Sequence, residues 1–333
     1  MTMVIVQQGF KMVGSTVKAK RGIHSRIPRS SRAVQLSALG LLLIALAVGT
    51  LGFDAYSGKI GLFGPSMEIV STGTGRIIRV PPGRSVQAAI DQATSGDIVE
   101  LQAGATYFGE IKLPNKPLTD FVTIRSSAAD KLPGNVRVDP SAEELMPKIM
   151  VRGAGNSAVT AVNGAHHYRF VGIEFSATGV DYVYNLILLG NGEAVDKLPH
   201  DLEFDRCYLH PGKKGIVRRG IALNSANTTI TNSYLEGFGF PGEETQGICG
   251  WTGTRNVRII NNYIEGGAEN IMFGGSDPGS ADQIPADIEV RNNHLNKPRS
   301  WVGTASMKTL FELKNARRVQ LIGNLMTNNW VGS

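Results

Sequence analysis

Cysteine is nearly absent from this sequence: there are two in 333 residues, Cys207 and Cys249. Two thiols cannot build a disulfide framework or a four-thiolate zinc site. Charge is also scarce. Asp, Glu, Lys and Arg make up 19% against the usual quarter, and with 40 glycines this argues against a helical bundle or coiled coil. Acid is missing altogether from residues 1–35, where Lys11, Lys18, Lys20, Arg21, Arg26, Arg29 and Arg32 stand without a counter-charge. These seven exceed the net charge of +6 and leave residues 36–333 at −1, so the body of the chain offers no basic surface for nucleic acid. Gly73-Thr74-Gly75 lacks the further glycines and lysine of a phosphate-binding loop.

The basic tail is followed by an uncharged run, Ala33 to Phe53. A helix of that length spans about 30 Å, the thickness of bilayer hydrocarbon. Positive charge on its N-terminal side alone places the tail in the cytoplasm and the rest outside it. We read 1–35 as a cytoplasmic tail and 36–53 as a transmembrane helix or signal anchor. The later domain then lies in the periplasm or outside the cell on a single-pass cell-membrane anchor. The alternative is a cleaved signal peptide, with Ala45-Leu46-Ala47 as the cleavage pattern and a secreted product. Residues 54–75, with scattered glycines and one proline, read as a linker.

Beyond residue 165 six segments align: YRFVGIEF (168–175), LEFDRCYL (202–209), TTITNSYL (228–235), VRIINNYI (257–264), IEVRNNHL (288–295) and VQLIGNLM (319–326). The third position holds Phe170, Phe204, Ile230, Ile259, Val290 and Leu321, and the eighth holds Phe175, Leu209, Leu235, Ile264, Leu295 and Met326. Short alternating strands, Gly, Asn and Pro turns and a spacing near 30 residues indicate a solenoid with one unit per coil. The sixth position holds Ile173, Cys207, Ser233, Asn262, Asn293 and Asn324. An amide pointing into a dry interior needs a partner, so the three asparagines are expected to bond one another as a ladder. Cys207 then reads as a small buried residue and not as a nucleophile. The irregular coil length, with the usual handedness of parallel crossovers, favours a right-handed parallel β-helix. Ser85 is positioned to N-cap a short helix over 85–94 that would cover the exposed end of the solenoid. Strands are expected around Ile98–Leu101, Gly109–Leu113 and Phe121–Arg125.

The opening IIRVPPGRSVQAAIDQATSGDIVELQAGATYFGEI (77–111) resembles the start of pectin-lyase-like right-handed parallel β-helix proteins: Pro82-Gly83, a short helix ending in Gly96-Asp97, a strand, then Gly104 to Tyr107. The repeats LEFDRCYLHPG and VRIINNYIEGG resemble the parallel β-helix repeat of that superfamily, and GGAENIMFGGSDP is similar to exported bacterial β-helix proteins. The resemblance covers 76–333 and implies an all-β fold. It also implies a polysaccharide partner, with lyases, glycoside hydrolases or epimerases of acidic glycans as the activities. The chain stops seven residues after a repeat strand, which we read as truncation of the β-helix domain.

Elimination from a uronate polymer needs a group to neutralise the carboxylate, a base for the α-proton and an acid for the leaving oxygen. The densest polar segment supplies candidate catalytic residues His210, Lys213, Lys214, Arg218 and Arg219. Candidate substrate-binding residues on later coils are Glu243, Glu244, Trp251, Glu269, Asn270 and Asp277. Cationic beside acidic turns would suit an acidic sugar with or without Ca²⁺, and no metal ligand is assigned. Asp181, Tyr182 and Tyr184 lie in a long excursion of the kind that walls a groove. His166 and His167 are adjacent, and on a regular strand they point to opposite faces, which excludes shared metal ligation. The alternative to an enzyme is a non-catalytic glycan-binding or adhesive solenoid.

Overall fold

A computed structural model describes residues 65–153, 155–178, 182–213 and 215–330. The basic tail, the uncharged run and most of the expected linker lie outside the described residues. Among the described residues no helix is long and apolar enough to cross a membrane.

The chain winds through three sheets in a fixed order, leaving one strand in each sheet per coil. Among the described residues sheet A has ten strands, from Glu68–Thr72 to Arg317–Ile322; sheet B has eight, from Thr106–Phe108 to Leu325–Thr327; sheet C has seven, from Ile111–Leu113 to Thr309–Leu313. All pairings are parallel except the first, in which Glu68–Thr72 runs antiparallel to Gly75–Val80. That hairpin corrects the expected linker boundary. Residues 68–72 are paired, with Glu68 opposite Arg79 and ion-paired to it at 2.9 Å.

Stacking follows the aligned repeats residue by residue. Phe170, Phe204, Ile230, Ile259, Val290 and Leu321 pair in succession in sheet A, and below Phe170 the column continues through Ile124 and Val99 to Ile78. In sheet B the column is Phe175, Leu209, Leu235, Ile264, Leu295 and Met326. One column point suits a large ring: Phe170 and Phe204 stack with centroids 5.1 Å apart. Each buried side chain of this class contributes about 1.5–3 kcal/mol, so the continuous columns carry much of the fold.

The corner between sheets A and B explains the repeat. Gly172, Arg206, Asn232, Asn261, Asn292 and Gly323 all have φ between 50° and 65°, a left-handed turn that favours Gly and Asn. From Ser233 onward the next residue turns inward and its side chain accepts from the coil below. Asn262 Oδ1 accepts from the Ser233 amide at 2.9 Å, Asn293 Oδ1 from the Asn262 amide at 2.9 Å, and Asn324 Oδ1 from the Asn293 amide at 2.9 Å. The side-chain amides of Asn262, Asn293 and Asn324 donate to the carbonyls of Ile230, Ile259 and Val290. Ser233 Oγ accepts the Cys207 amide at 3.0 Å, so Cys207 occupies the same stack, fully buried, with its thiol pushed up to about 12 by burial. That is a packing residue, as the sequence indicated.

The helix Val86–Gln92 covers the first coil. Ser85 Oγ accepts the Ala88 amide, and Val86, Ala89 and Ile90 join the core. Lys116 closes its other end, with Nζ donating to the Ile90 and Ala93 carbonyls at 2.7 and 2.6 Å. A second covering element has no counterpart in the sequence reading. Between strands Val122–Ser126 and Lys148–Arg152 the chain leaves the coil and runs along the A–B corner. Leu132, Val138 and Met146 pack on Tyr208, Val138 bonds the Asn232 carbonyl, and Arg137 reaches Asn261 and the Asn292 carbonyl. This arm satisfies carbonyls of the left-handed turns that the coils themselves leave open.

Candidate functional site

Sheet C carries the site. Its strands Tyr182–Leu189, Ile216–Leu223, Gln246–Gly250 and Glu269–Phe273 each place two successive residues in the interior: Leu186 and Ile187, Gly220 and Ile221, Gly247 and Ile248, Asn270 and Ile271. The inward glycines are required by contact, since a Cβ at Gly220 would lie 2.9 Å from the Phe238 ring and one at Gly247 2.5 Å from Ile264. The doubled inward step sets the preceding row, Asn185, Arg219, Gln246 and Glu269, in register on the outer face.

That row is one hydrogen-bonded chain. Arg219 Nη1 donates to Asn185 Oδ1 at 3.4 Å, Arg219 Nε to Gln246 Oε1 at 3.0 Å, and Gln246 Nε2 to Glu269 Oε2 at 2.8 Å. Lys308 Nζ then stands 3.7 Å from Glu269 Oε1 and also binds Glu244. Burial lowers the pKa of Arg219 from the usual guanidinium value; Cys249 opposes this and the neighbouring Arg218 charge adds to the fall. Its guanidinium lies 5.0 Å from the Trp251 ring centroid, a cation–π contact. Glu269 is fully buried. Burial raises its pKa against the Gln246 hydrogen bond, and the Glu312 carboxyl beside it adds to the rise.

The outer rim differs. Tyr182 Oη donates to Glu243 Oε2 at 3.1 Å, and Arg218 Nε lies 3.9 Å from the same oxygen while donating to the Glu244 carbonyl. Burial first, then the bond to Glu243, raise the Tyr182 pKa, so the phenol holds its proton. Tyr184 packs edge-on against Tyr182 and is exposed. The open part of the surface is therefore Tyr182, Tyr184, Asn185, Arg218, Arg219 and Glu243, while Gln246 and Glu269 are buried, with Lys308 beside Glu269.

The sequence-derived candidates divide between two faces. Arg218, Arg219 and Glu269 lie on sheet C strands, and Glu243, Glu244 and Trp251 lie in the connections flanking the sheet C strand Gln246–Gly250. His210 ends a sheet B strand, where its Nε2 is 2.8 Å from Glu174 Oε1 and Lys148 Nζ is 2.8 Å from the same oxygen. Glu174 is buried; burial pushes its pKa up, but His210 and Lys148 outweigh that and hold it below the usual value. Lys213 is exposed in the connection between the two sheets, and Lys214, like Asp181, lies outside the described residues. Asn270 is buried and its amide donates at 2.7 Å to the Ile264 and Asn296 carbonyls, so it builds the corner and does not face a ligand. Asp277 is exposed after the far end of the strand Glu269–Phe273. Asn185, Gln246, Lys308 and Glu312 were not among the candidates. Among the described residues no group of three or more His, Cys, Asp and Glu side chains is arranged to hold a metal.

No family model matches the chain, and no curated protein matches its sequence. Solved structures give distant likenesses. An alginate lyase from Paenibacillus sp. str. FPU-7 is 15% identical over 76% of this chain and 98% of that one, with a TM-score of 0.31. The PL6 family alginate lyase AlyGC is 13% identical over 80% of this chain and 42% of that one, with a TM-score of 0.29. Pectate lyase Pel9A is 14% identical over 74% and 79%, with a TM-score of 0.27. At these scores neither residues nor activity transfer; the strand register by itself makes the chain a three-sheet parallel β-helix.

Proposed function

We propose that the domain binds an acidic polysaccharide along the outer face of sheet C and cleaves it by β-elimination. One observation carries the reading: a tyrosine–carboxylate pair, Tyr182 and Glu243 at 3.1 Å, stands beside the consecutive cations Arg218 and Arg219. In this scheme the two guanidiniums neutralise the uronate carboxylate and so acidify its α-proton. Glu243 takes that proton, the C–O bond to the leaving sugar breaks as the double bond forms, and Tyr182 gives its phenolic proton to the leaving oxygen. Transfer of the proton from Glu243 to Tyr182 through their hydrogen bond restores both groups. Successive coils about 4.8 Å apart would present a polymer with repeated polar contacts.

Incubation of the full chain with a panel of uronate polymers tests this through the ultraviolet absorbance of unsaturated ends. Tyr182→Phe and Glu243→Gln are each expected to lower kcat by about 10²-fold or more, and Arg219→Lys to raise KM. A binding-only solenoid is the second reading, favoured by the pairing of Arg218 with Glu243 and of Lys308 with Glu244. It predicts polymer retention without product, and that result would remove the elimination scheme. We also propose that the segment before the domain exports it, retained as an anchor or cleaved. Mass spectrometry of the mature N-terminus distinguishes the two.

A further inference from the structure

Across the corner from sheet C, two neighbouring coils of sheet A open with residue pairs whose side chains converge. His167 has φ 58° and Asp201 φ 50°, the same left-handed step at the second strand position. On a regular strand adjacent side chains diverge. The left-handed step reverses this, and it overturns the expectation that His166 and His167 face apart. His166 Nδ1 and His167 Nδ1 lie 2.6 Å from each other. One coil on, His200 Nδ1 and Asp201 Oδ2 repeat the arrangement at 2.6 Å. The rungs stack, with the His166 and His200 rings 4.8 Å apart and 3° from parallel. In the later coils the same two positions hold Ala226 and Asn227, Arg255 and Asn256, Ala286 and Asp287, and Arg317 and Arg318, so among these described coils the paired donors stand on the His166 and His200 strands.

The geometry points to a binding site for a transition-metal ion that favours imidazole, such as Zn²⁺, Cu²⁺ or Ni²⁺, with His166 Nδ1 and His167 Nδ1 as its donors. Imidazole nitrogens select these ions over Ca²⁺ and Mg²⁺, which take oxygen. Bonds of about 2.0–2.1 Å at a tetrahedral angle set two donors about 3.3 Å apart, so on binding the rings separate by about 0.7 Å from their present spacing. The His166 ring also hydrogen-bonds the backbone of Lys116, and a ring that gives its proton there keeps a lone pair at Nδ1. Both histidines are half-buried and reachable from solvent, and the Asp201 carboxylate above them supplies negative charge. Two protein donors, with water completing the shell, make a site of moderate affinity. The inference stands apart from the glycan reading, since none of these residues belongs to sheet C.

Calorimetric titration of the full chain with Zn²⁺ tests it, with Ca²⁺ as the comparison. The expected result is one saturable Zn²⁺ equivalent at micromolar concentration, weakened at least about tenfold by His166→Gln and by His167→Gln and unchanged by His210→Gln. Cu²⁺ electron paramagnetic resonance should show coupling to two nitrogens in the parent chain and lose it in either variant. The inference is overturned by no saturable binding up to about 1 mM. Equal binding by parent, His166→Gln and His167→Gln also overturns it, because the ion would then sit elsewhere, for instance on His24 of the tail.

Discussion

Replacing Asn293 by Ala isolates the inward ladder. The side chain makes four bonds: Oδ1 accepts from the Asn262 amide at 2.9 Å and from Asn262 Nδ2 at 3.0 Å, while Nδ2 donates to the Ile259 carbonyl at 2.8 Å and to Asn324 Oδ1 at 3.0 Å. Alanine leaves the Asn262 amide and the Ile259 carbonyl buried without these partners, while Asn324 Oδ1 keeps the backbone amide of residue 293 and Asn262 Nδ2 keeps the Ile230 carbonyl. Two orphaned buried groups at about 1–3 kcal/mol each give a loss of about 2–6 kcal/mol, before any cavity term. Asn324→Ala should cost less. Its side chain also serves two groups, the Asn293 amide and the Val290 carbonyl, but Asn324 is only half-buried, so water can reach the vacated positions and about 1–2 kcal/mol is expected. Urea denaturation followed by circular dichroism provides both values on the same chain. A loss below about 1 kcal/mol at Asn293, or equal losses at the two positions, would refute the argument that interior amides hold the coils in register.

Two buried ionisable groups, each with its pKa lowered on folding, give pH-dependent predictions in two separate intervals, and in both stability rises with pH. Asp97 is buried, which would raise its pKa, but Arg76 and the Thr94 and Arg76 amides outweigh this and bring it down to about 2. A carboxyl depressed in the folded state stabilises above its unfolded pKa of about 3.9. The contribution, about 2 kcal/mol, should disappear as pH falls from about 4 to 2, and Asp97→Asn should flatten that part of the stability profile. Lys297 is fully buried and donates to the Gly266, Gly267 and Ala268 carbonyls; burial lowers its pKa to about 8. The unfolded chain then binds more protons than the folded one between pH about 8 and 10.4. The parent should therefore gain stability over that interval, and Lys297→Met should lose the gain. A parallel pH profile for the Met variant would show that another group is responsible.

The A–turn–B segment of each coil was legible because three signals coincide there. Alternation places Phe170 and Phe175 and their equivalents inward, the spacing of units reports one lap, and the asparagines at 262, 293 and 324 have few other ways to be buried. A fourth signal lay unread beside them. Gly172, Asn232, Asn261, Asn292 and Gly323 are the residue types that a left-handed turn favours, and only Arg206 obscures the pattern. Arg206 itself is held there by Asp205 at 2.7 Å and by the arm carbonyls of Ala129 and Leu132.

Sheet C was not legible, for a reason of period. Alternation assumes that residues i and i+2 share a face, and the doubled inward step at Gly220 and Ile221, or Gly247 and Ile248, breaks that rule at the point where the polar row begins. Proximity in sequence misled in the same region. His210 and Arg219 are nine positions apart, yet a corner separates them, so His210 bonds Glu174 on sheet B while Arg219 bonds Gln246, 27 positions further on. In a parallel β-helix the neighbours of a side chain are one lap away, and the lap length varies from coil to coil. A site reading must therefore use register first and sequence distance last. By that measure Asn185, Arg219, Gln246 and Glu269 form one unit, and a substitution at Gln246 should disturb Arg219 and Glu269 together, coupling the open rim of the surface to its buried carboxyl.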